Sequence, residues 1–399
     1  MEKKNILKDS HRTDLKQLFT ENSFPEDAFY IDKIFNDKNI IVYGAGESFH
    51  YYKEIIMRGY GYIPTVILDQ KFKKNDTFLG IPASPPHEYK PDKDVKENSI
   101  VVICLGSQTY YNQIVDTLVT MGFKNIISLN DIYEIHNAFQ LPVELEQSGF
   151  QYYLDRQSTI ESCYDLLEDD ESREVFIKII ETHMKRKPVI IPMRPRTEQY
   201  VPKDIRLSRG YSRYIYCGVS VGEMASVFNH IDELANEMIC FEPDPNQYRL
   251  TKEYLKENYF KLAKRVTALP NAVYDRTVAK PFTWSDTSFG SRILDSHEIP
   301  PGSNKSYVQC VTIDDILHGF CPTFISMDIE GAELNALKGA ENVIKENIPD
   351  LGICVYHSPN HIWEIPHYLD NLGLGYKFYL RNYTSLTGET VLYATRPAE

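Results

Sequence analysis

Three carboxylates stand close together in TFISMDIEGAELNALKGA, the stretch from Thr323 to Ala340, which reads as a buried strand, a sharp acidic turn and a helix. Strand alternation puts Phe324, Ser326, Asp328 and Glu330 on one face and Ile325, Met327 and Ile329 on the other, so Asp328 and Glu330 point the same way. Gly331 supplies the turn, and Glu333 falls in the first helical turn, where a negative charge complements unpaired N–H groups. A second strand, DLGICVYH, ends on His357, whose imidazole ordinarily titrates where proton transfer is useful. Two chemistries suit this set. His357 can take the proton of a hydroxyl, with Asp328 orienting the ring or facing a cationic reactant. Alternatively Asp328, Glu330 and His357 hold a hard divalent metal that acidifies a bound hydroxyl, although two oxygens and one nitrogen make a thin cage. Proton transfer is the favoured reading, a histidine simply bonded to backbone is the second, and the metal is the third.

The elements that must position these groups form an α/β pattern. SRYIYCGVSVGEMASVFNHI reads as strand, glycine turn and helix, and EMICFEPDPNQYRLTKEYL repeats the plan with Glu242 at the end of its strand. In an open α/β sheet ligands sit beyond the carboxyl ends of the strands. There, backbone near Gly218 and Gly222 can approach a ligand, and Glu242 can accept hydrogen bonds from two ribose hydroxyls. Taken alone, this fits NAD as well as S-adenosylmethionine.

DIEGAEL followed by LKGAENVI resembles the signature of the FkbM-type methyltransferases. FEPDPNQY, LPNAVYD, SFGSRI, VTIDDIL and FISMDIEGAEL come in that family's order, and the closing RNYTSLTGETVLYA resembles its C-terminus. The similarity runs from about Arg206 to the end of the chain. It implies a class I methyltransferase-type sheet ending in an antiparallel strand pair. The implied activity is S-adenosylmethionine-dependent O-methylation of a sugar or similar hydroxylated small molecule, as in surface polysaccharide or glycan biosynthesis. On this reading Gly218, Ser220, Gly222, Glu223, Glu242, Asn271, Asp328 and Glu330 would hold the donor, and the strand-end chemistry above makes His357 and Asp328 the catalytic candidates. The family's first motif is close to D-x-G-A-x-x-G, whereas this chain has Tyr216, Cys217, Gly218, Val219, Ser220, Val221 and Gly222. The opening acid is thus Tyr216 and the small alanine is Val219, leaving Ser220 or Glu223 to take over part of the acid's role. Ser326 stands where the family often has a lysine.

The first half divides into a helical lead-in (1–35), a Rossmann-like module (36–137) and a helical, charged linker (138–205), before the methyltransferase-type domain at 206–399. In KNIIVYGAGESFHYYKEIIMRGYGYIPTVILDQ, Gly44 and Gly46 open a helix and Asp69 ends the second strand, as in a nucleotide-binding βαβ unit. Phe49 occupies the third fingerprint position, so the fingerprint is incomplete. Gly106 and Ser107 begin a second glycine turn. The module resembles nucleotide- or nucleotide-sugar-binding domains of sugar-modifying enzymes; a structural or docking role is the alternative. In the linker, Glu168, Asp169, Asp170 and Glu171 read as a solvated helix start. HMKRKPVIIPMRPR reads as a basic loop whose arginines either clamp an anion or carry ordinary surface charge.

Composition bounds the remaining choices. A net charge of −13 argues against general binding to nucleic acid or anionic membranes. The N-terminus lacks a long apolar run, and no stretch approaches the roughly 20 apolar residues of a membrane span, so a cytoplasmic protein without membrane insertion is expected. The cysteines are scattered singly, as buried reduced thiols would be. The 28 tyrosines suit cores and interfaces before they suit ligand stacking. The expected fold is α/β with two Rossmann-like domains, and a homo-oligomer is compatible with it. An NAD-dependent nucleotide-sugar oxidoreductase or epimerase, and a non-catalytic assembly protein with a degenerate methyltransferase domain, are the competing functions.

Overall fold

The computed structural model describes residues 2–20, 35, 38–46, 48–105, 111–129, 150–185, 191–222, 224, 234–284, 291–294, 304–384 and 387–397. The chain divides into two compact units, one of Leu18–Asp155 with Ile179–Ile190 and one of Met1–Gln17, Arg156–Lys178 and Ile191–Glu399. Among the described residues of the stretch read as a linker there are helices at Phe150–Leu154, Gln157–Leu166 and Asp170–Lys185. The stretch is shared out between the two units.

The first unit holds strands β1 (Asn39–Tyr43), β2 (Val66–Leu68), β3 (Asp76–Phe78), β4 (Ile81–Ser84), β5 (Ser99–Ile103) and β6 (Asn125–Ser128). They lie in the order β3-β4-β2-β1-β5-β6, parallel throughout except for the β3–β4 pair. Ile40 and Val42 of β1 enter one core with Phe49, Tyr52 and Ile56, while Ile41 enters another with Val101 and Leu118. Burial on both faces is what a parallel sheet requires, and it explains why β1 is an unbroken apolar run. The expected helix after the glycine turn is a single turn, Phe49–Tyr51, that passes into π-helix over Tyr52–Gly59. Gly106 and Ser107 lie outside the described residues.

The second unit is built on β7 (Arg213–Cys217), β8 (Ala235–Phe241), β9 (Ala263–Leu269), β14 (Phe324–Met327), β15 (Asp350–Cys354), β16 (Lys377–Asn382) and β17 (Thr390–Thr395). Between β9 and β14 the chain inserts β10 (Ala272–Val273), β11 (Val278–Trp284), β12 (Arg292–Ile293) and β13 (Asn304–Val311), which form their own four-stranded sheet. The main sheet has the order β16-β17-β15-β14-β7-β8-β9, with β17 antiparallel to both β15 and β16. This is the α/β sheet with an antiparallel closing pair expected from the sequence. Its strand order reverses between β7 and β14, the topological switch point at which open sheets bind ligands.

Much of the tyrosine content is spent on this core. Tyr200, Tyr214, Tyr216, Tyr383 and Tyr393 pack in one cluster with Phe324, Val219 and Met238; the hydroxyls of Tyr200, Tyr214, Tyr383 and Tyr393 have hydrogen-bond partners, and the Tyr216 ring lies against those of Tyr200 and Tyr214. Tyr216, which replaces the usual acid, is 1% exposed and stacks 5.8 Å from Tyr214. It is a core residue, and Val219, 2% exposed, packs in the same cluster.

Two expectations about the charged connector are corrected. Asp169 is not merely solvated: Arg381, with a side chain 3% exposed, reaches its Oδ2 at 2.5 Å and also bonds Asp204 Oδ2 at 2.8 Å. Arg194 forms a bidentate pair with Glu171 at 2.8 and 2.6 Å, and Arg196 donates to Glu389. These arginines clamp the protein's own carboxylates. All seven cysteines are free thiols, and six are buried, Cys321 being the exposed one. Among the described residues no helix is long and apolar enough to cross a membrane.

Candidate active site

At the end of β7 the chain turns through Gly218, whose φ is +84°. A Cβ built there would lie 1.7 Å from the carbonyl oxygen of Asp328, because β7 and β14 remain in register past their ends and Asp328 N–H donates to Cys217 O at 3.0 Å. Gly218 is therefore required by packing against the neighbouring strand. Gly222 is the open glycine: among the described residues nothing lies nearer to its absent Cβ than Ser220 Oγ at 3.9 Å, and Ser220 and Gly222 are both exposed. The first unit repeats this division. Gly44, φ +103°, abuts Cys104 O, and Gly46 faces open space.

Glu242 follows β8 and is 8% exposed. Its Oε2 accepts the Val219 N–H at 3.1 Å and its Oε1 the Asp244 N–H at 2.7 Å. Asp244 then caps the helix Pro245–Leu262, accepting N–H groups from Asn246 and Gln247, with Pro245 at the first helical position. The FEPDP segment is thus a strand end, a buried acid and a helix cap in sequence. Burial pushes Glu242 up to about 8, opposed by the two N–H donors and assisted by the nearby Asp244 and Glu330 charges. A carboxylate held this way keeps further lone pairs, one per oxygen, for hydroxyl donors. Asp69 has the same place in the first unit, accepting the Ala45 N–H at 2.7 Å and the Lys71 N–H at 3.0 Å.

The acidic turn lies beside Gly218. Strand β14 ends at Met327, and Glu330 takes a left-handed φ of +55°, followed by Gly331 at +99°. Alternation therefore does not carry Glu330 onto the face of Asp328; the turn does. Both carboxylates meet His357, whose Nε2 is 3.3 Å from Asp328 Oδ1 and 3.6 Å from Glu330 Oε2. The other ring nitrogen, Nδ1, is 2.8 Å from Glu333 Oε1. Glu333 is fully buried, and the same oxygen accepts the N–H groups of Ile329 and Gly331 at 3.0 and 3.3 Å, closing the turn. Its Oε2 lies 3.2 Å from Nδ1 of the buried His361 without hydrogen-bond alignment. Asp328 also accepts from Tyr200 OH at Oδ2 and from Tyr356 OH at Oδ1, both at 3.2 Å. Ile329 and Ala332 anchor the turn against Ala272 and Tyr274 of the inserted sheet.

Charge follows from this geometry. Burial by itself depresses the His357 imidazole, but the Glu333, Glu330 and Asp328 carboxylates outweigh it and bring its pKa to about 10. Glu333 is subject to the converse balance: burial disfavours its charge, and His357 and His361 overcome that and hold it far below the usual carboxylate range. At neutral pH the free protein therefore contains an imidazolium, not the free base expected from sequence. Asp328, Glu333 and His357 offer atoms within 4.8 Å of one another, a spacing a cation can use, and in this arrangement the ring proton on Nδ1 bridges two of them.

The structure brings Gly218, Glu242, Asp328, Glu330 and His357 to one end of one sheet. Asn271 sits past β9 with its amide donating to Gln309 O at 3.2 Å, and Glu223 lies outside the described residues. Trp363 is 2% exposed and packs in the core. Sequence reasoning gave Glu333 only a helix-terminus role and missed Tyr200, Tyr356 and His361 as contacts of the cluster. The two-residue period of Gly352, Cys354 and Tyr356 is the signal for Tyr356; no local pattern signals Tyr200, which arrives from 128 positions away.

Residues 217–378 match the family model for the methyltransferase FkbM domain. A solved structure of a methyltransferase FkbM from Methylobacillus flagellatus KT is similar over 97% of this chain and 99% of that one, with a TM-score of 0.65. Its sequence identity is 18%, so this likeness speaks for the fold. No curated protein matches the chain. The described site and the matched residues coincide: the C-terminal unit carries an FkbM methyltransferase domain, and the protein is a methyltransferase.

Proposed function

We propose that the protein is an S-adenosylmethionine-dependent O-methyltransferase whose acceptor is a sugar or similar hydroxylated small molecule. The observation that carries this reading is the buried Glu242 carboxylate, held by two backbone N–H groups at the end of β8 and facing the same switch point as the Asp328–Glu330–His357 cluster. Glu242 would accept the donor's ribose hydroxyls, and the exposed backbone at Ser220 and Gly222 would meet its amino-acid end. Bound S-adenosylmethionine supplies a methyl group on a cationic sulfur. Asp328 and Glu330 give that charge an anionic surround, and alignment of the acceptor oxygen removes several kcal/mol of barrier, on the order of what oriented intramolecular reactions gain. His357 Nε2, once it has lost its own proton, takes the hydroxyl proton. The oxidoreductase reading rested on the Gly44–Gly46 turn, whose Asp69 is held by backbone N–H groups as Glu242 is. That turn remains our candidate for the nucleotide part of an activated sugar, with exposed Gly46 at its centre.

Transfer of an isotopically labelled methyl group to a panel of free and nucleotide-linked sugars tests the assignment. Label is expected in an ether on a sugar hydroxyl. Label confined to carboxyl or amine acceptors overturns the O-methyl reading.

A further inference from the structure

Each unit closes the end of its sheet with the same set of bonds. In the first, Gly44 follows β1, donates its N–H to Leu68 O at 2.8 Å and abuts Cys104 O just past β5. In the second, Gly218 follows β7, donates to Phe241 O at 3.0 Å and abuts Asp328 O just past β14. The acid after the adjacent strand then accepts two N–H groups, one from the residue after the glycine and one from two positions beyond itself. These are Ala45 and Lys71 for Asp69, and Val219 and Asp244 for Glu242. The clip recurs residue for residue, and in both places the fixed carboxylate keeps lone pairs for a vicinal diol.

The charges beside the two clips are opposite. Two positions after Glu242 stands Asp244, and Asp328 and Glu330 come from the turn next to Gly218. Two positions after Asp69 stands Lys71. That side chain is exposed, yet its ammonium is held: Nζ donates to Ala45 O within the glycine turn and lies 5.4 and 5.1 Å from the ring centroids of Phe72 and Phe78. Phe78 packs in turn on Phe49, the bulky residue at the third fingerprint position, with centroids 5.6 Å apart. Among the described residues Lys71 forms no ion pair. Beside it Gly46 is exposed, and no described atom lies within 4 Å of its absent Cβ. A cation fixed on a carbonyl and two aromatic faces, next to open backbone, is suited to an incoming anion.

We propose that the first unit binds the nucleoside diphosphate of an activated sugar, with Asp69 accepting the ribose hydroxyls and Lys71 and the Gly46 backbone receiving the diphosphate, and that Lys71 is what separates this site from the donor site. This deepens the role given above to the Gly44–Gly46 turn and rests on that reading. One clip thus serves two nucleosides, sorted by charge. A sulfonium meets an ammonium in the first unit and carboxylates in the second, and a diphosphate meets the reverse. Like charges brought together reject the wrong ligand at each site.

The test is calorimetric titration of the full chain with uridine, guanosine and adenosine diphosphates, their glucose conjugates and NADH, each in excess S-adenosylhomocysteine. Saturable binding of at least one diphosphate or its glucose conjugate is expected. Its affinity should fall about 10-fold or more in Lys71→Met, as for a lost hydrogen bond to a charged group, and persist in Lys71→Arg and in Glu242→Ala. The same nucleoside without phosphates should bind more weakly, and equally to the wild type and Lys71→Met. Diphosphate binding that is unchanged in Lys71→Met overturns the assignment of Lys71 while leaving the nucleotide reading of the turn in place. Absence of binding by every nucleotide overturns both. Competition with S-adenosylhomocysteine, or NADH bound more tightly than every diphosphate and conjugate, also overturns the proposal. None of these results depends on methyl transfer, which the labelled-methyl assay reads separately.

Discussion

His357 and Glu333 form a buried pair whose behaviour with pH follows from their shifts. The His357 pKa is raised from 6.5 to about 10, so its contribution to stability is complete below pH 6.5 and is lost as pH rises through 10. Glu333 is shifted the other way, and its contribution is present above its ordinary 4.5 and lost in acid. Urea denaturation of the wild type is therefore expected to show falling stability between pH 7 and pH 9.5, with a flatter profile in His357→Gln; parallel profiles would contradict the pairing. His357→Ala should lower methyl transfer by roughly 10²- to 10⁴-fold, the usual range for a positioned base, without weakening donor binding. A variant that transfers normally removes His357 from the chemistry. The residue types at this site were legible in the sequence because acids and a histidine at strand ends are few. Their protonation was not, since it depends on Glu333 and His361 folding back from two helices.

At the level of the strand ends, two glycines in one motif do different work. Gly218→Ala places a methyl 1.7 Å from Asp328 O at a φ of +84°, and a cost of at least about 2 kcal/mol is expected in chemical denaturation. Gly222→Ala meets open space, so it should leave stability within about 0.5 kcal/mol while reducing donor affinity. Equal stability losses in the two variants would refute this division. Sequence put both glycines in one strand-to-helix turn and assigned them one reason, approach to a ligand. The carbonyl that excludes a side chain at Gly218 comes from a strand 110 residues later, and strand adjacency of that kind is set by topology. The acidic turn has a similar history: alternation placed Asp328 properly and failed at Glu330, where the strand had already ended.

Across the whole chain, the pattern of strand, glycine turn, helix and strand-end acid made both α/β sheets legible, and the closing RNYTSLTGETVLYA gave the antiparallel pair β16–β17. The connector's ionic core was hidden, because Arg381 meets Asp169 across 212 positions. Removing Arg381 takes charge-assisted hydrogen bonds from Asp169 and Asp204, which are partly exposed, so Arg381→Met is expected to destabilise the protein by roughly 1.5 to 3 kcal/mol. Disruption of the exposed Arg249–Glu253 pair by Arg249→Ala should cost less than about 0.5 kcal/mol. Denaturation midpoints of the two variants check the contrast. The excess acidity of −13 is partly internal by the same token, with Glu242, Glu333 and Asp350 buried.

Calorimetric titration of S-adenosylhomocysteine into the wild type and into Glu242→Ala, with folding verified by circular dichroism, is the most direct measurement of the donor site. We expect saturable binding by the wild type and an affinity lower by about 10- to 100-fold in the variant, as for the loss of two hydrogen bonds to the ribose hydroxyls. Equal affinities would mean that the crevice at the end of β8 does not hold the adenosine.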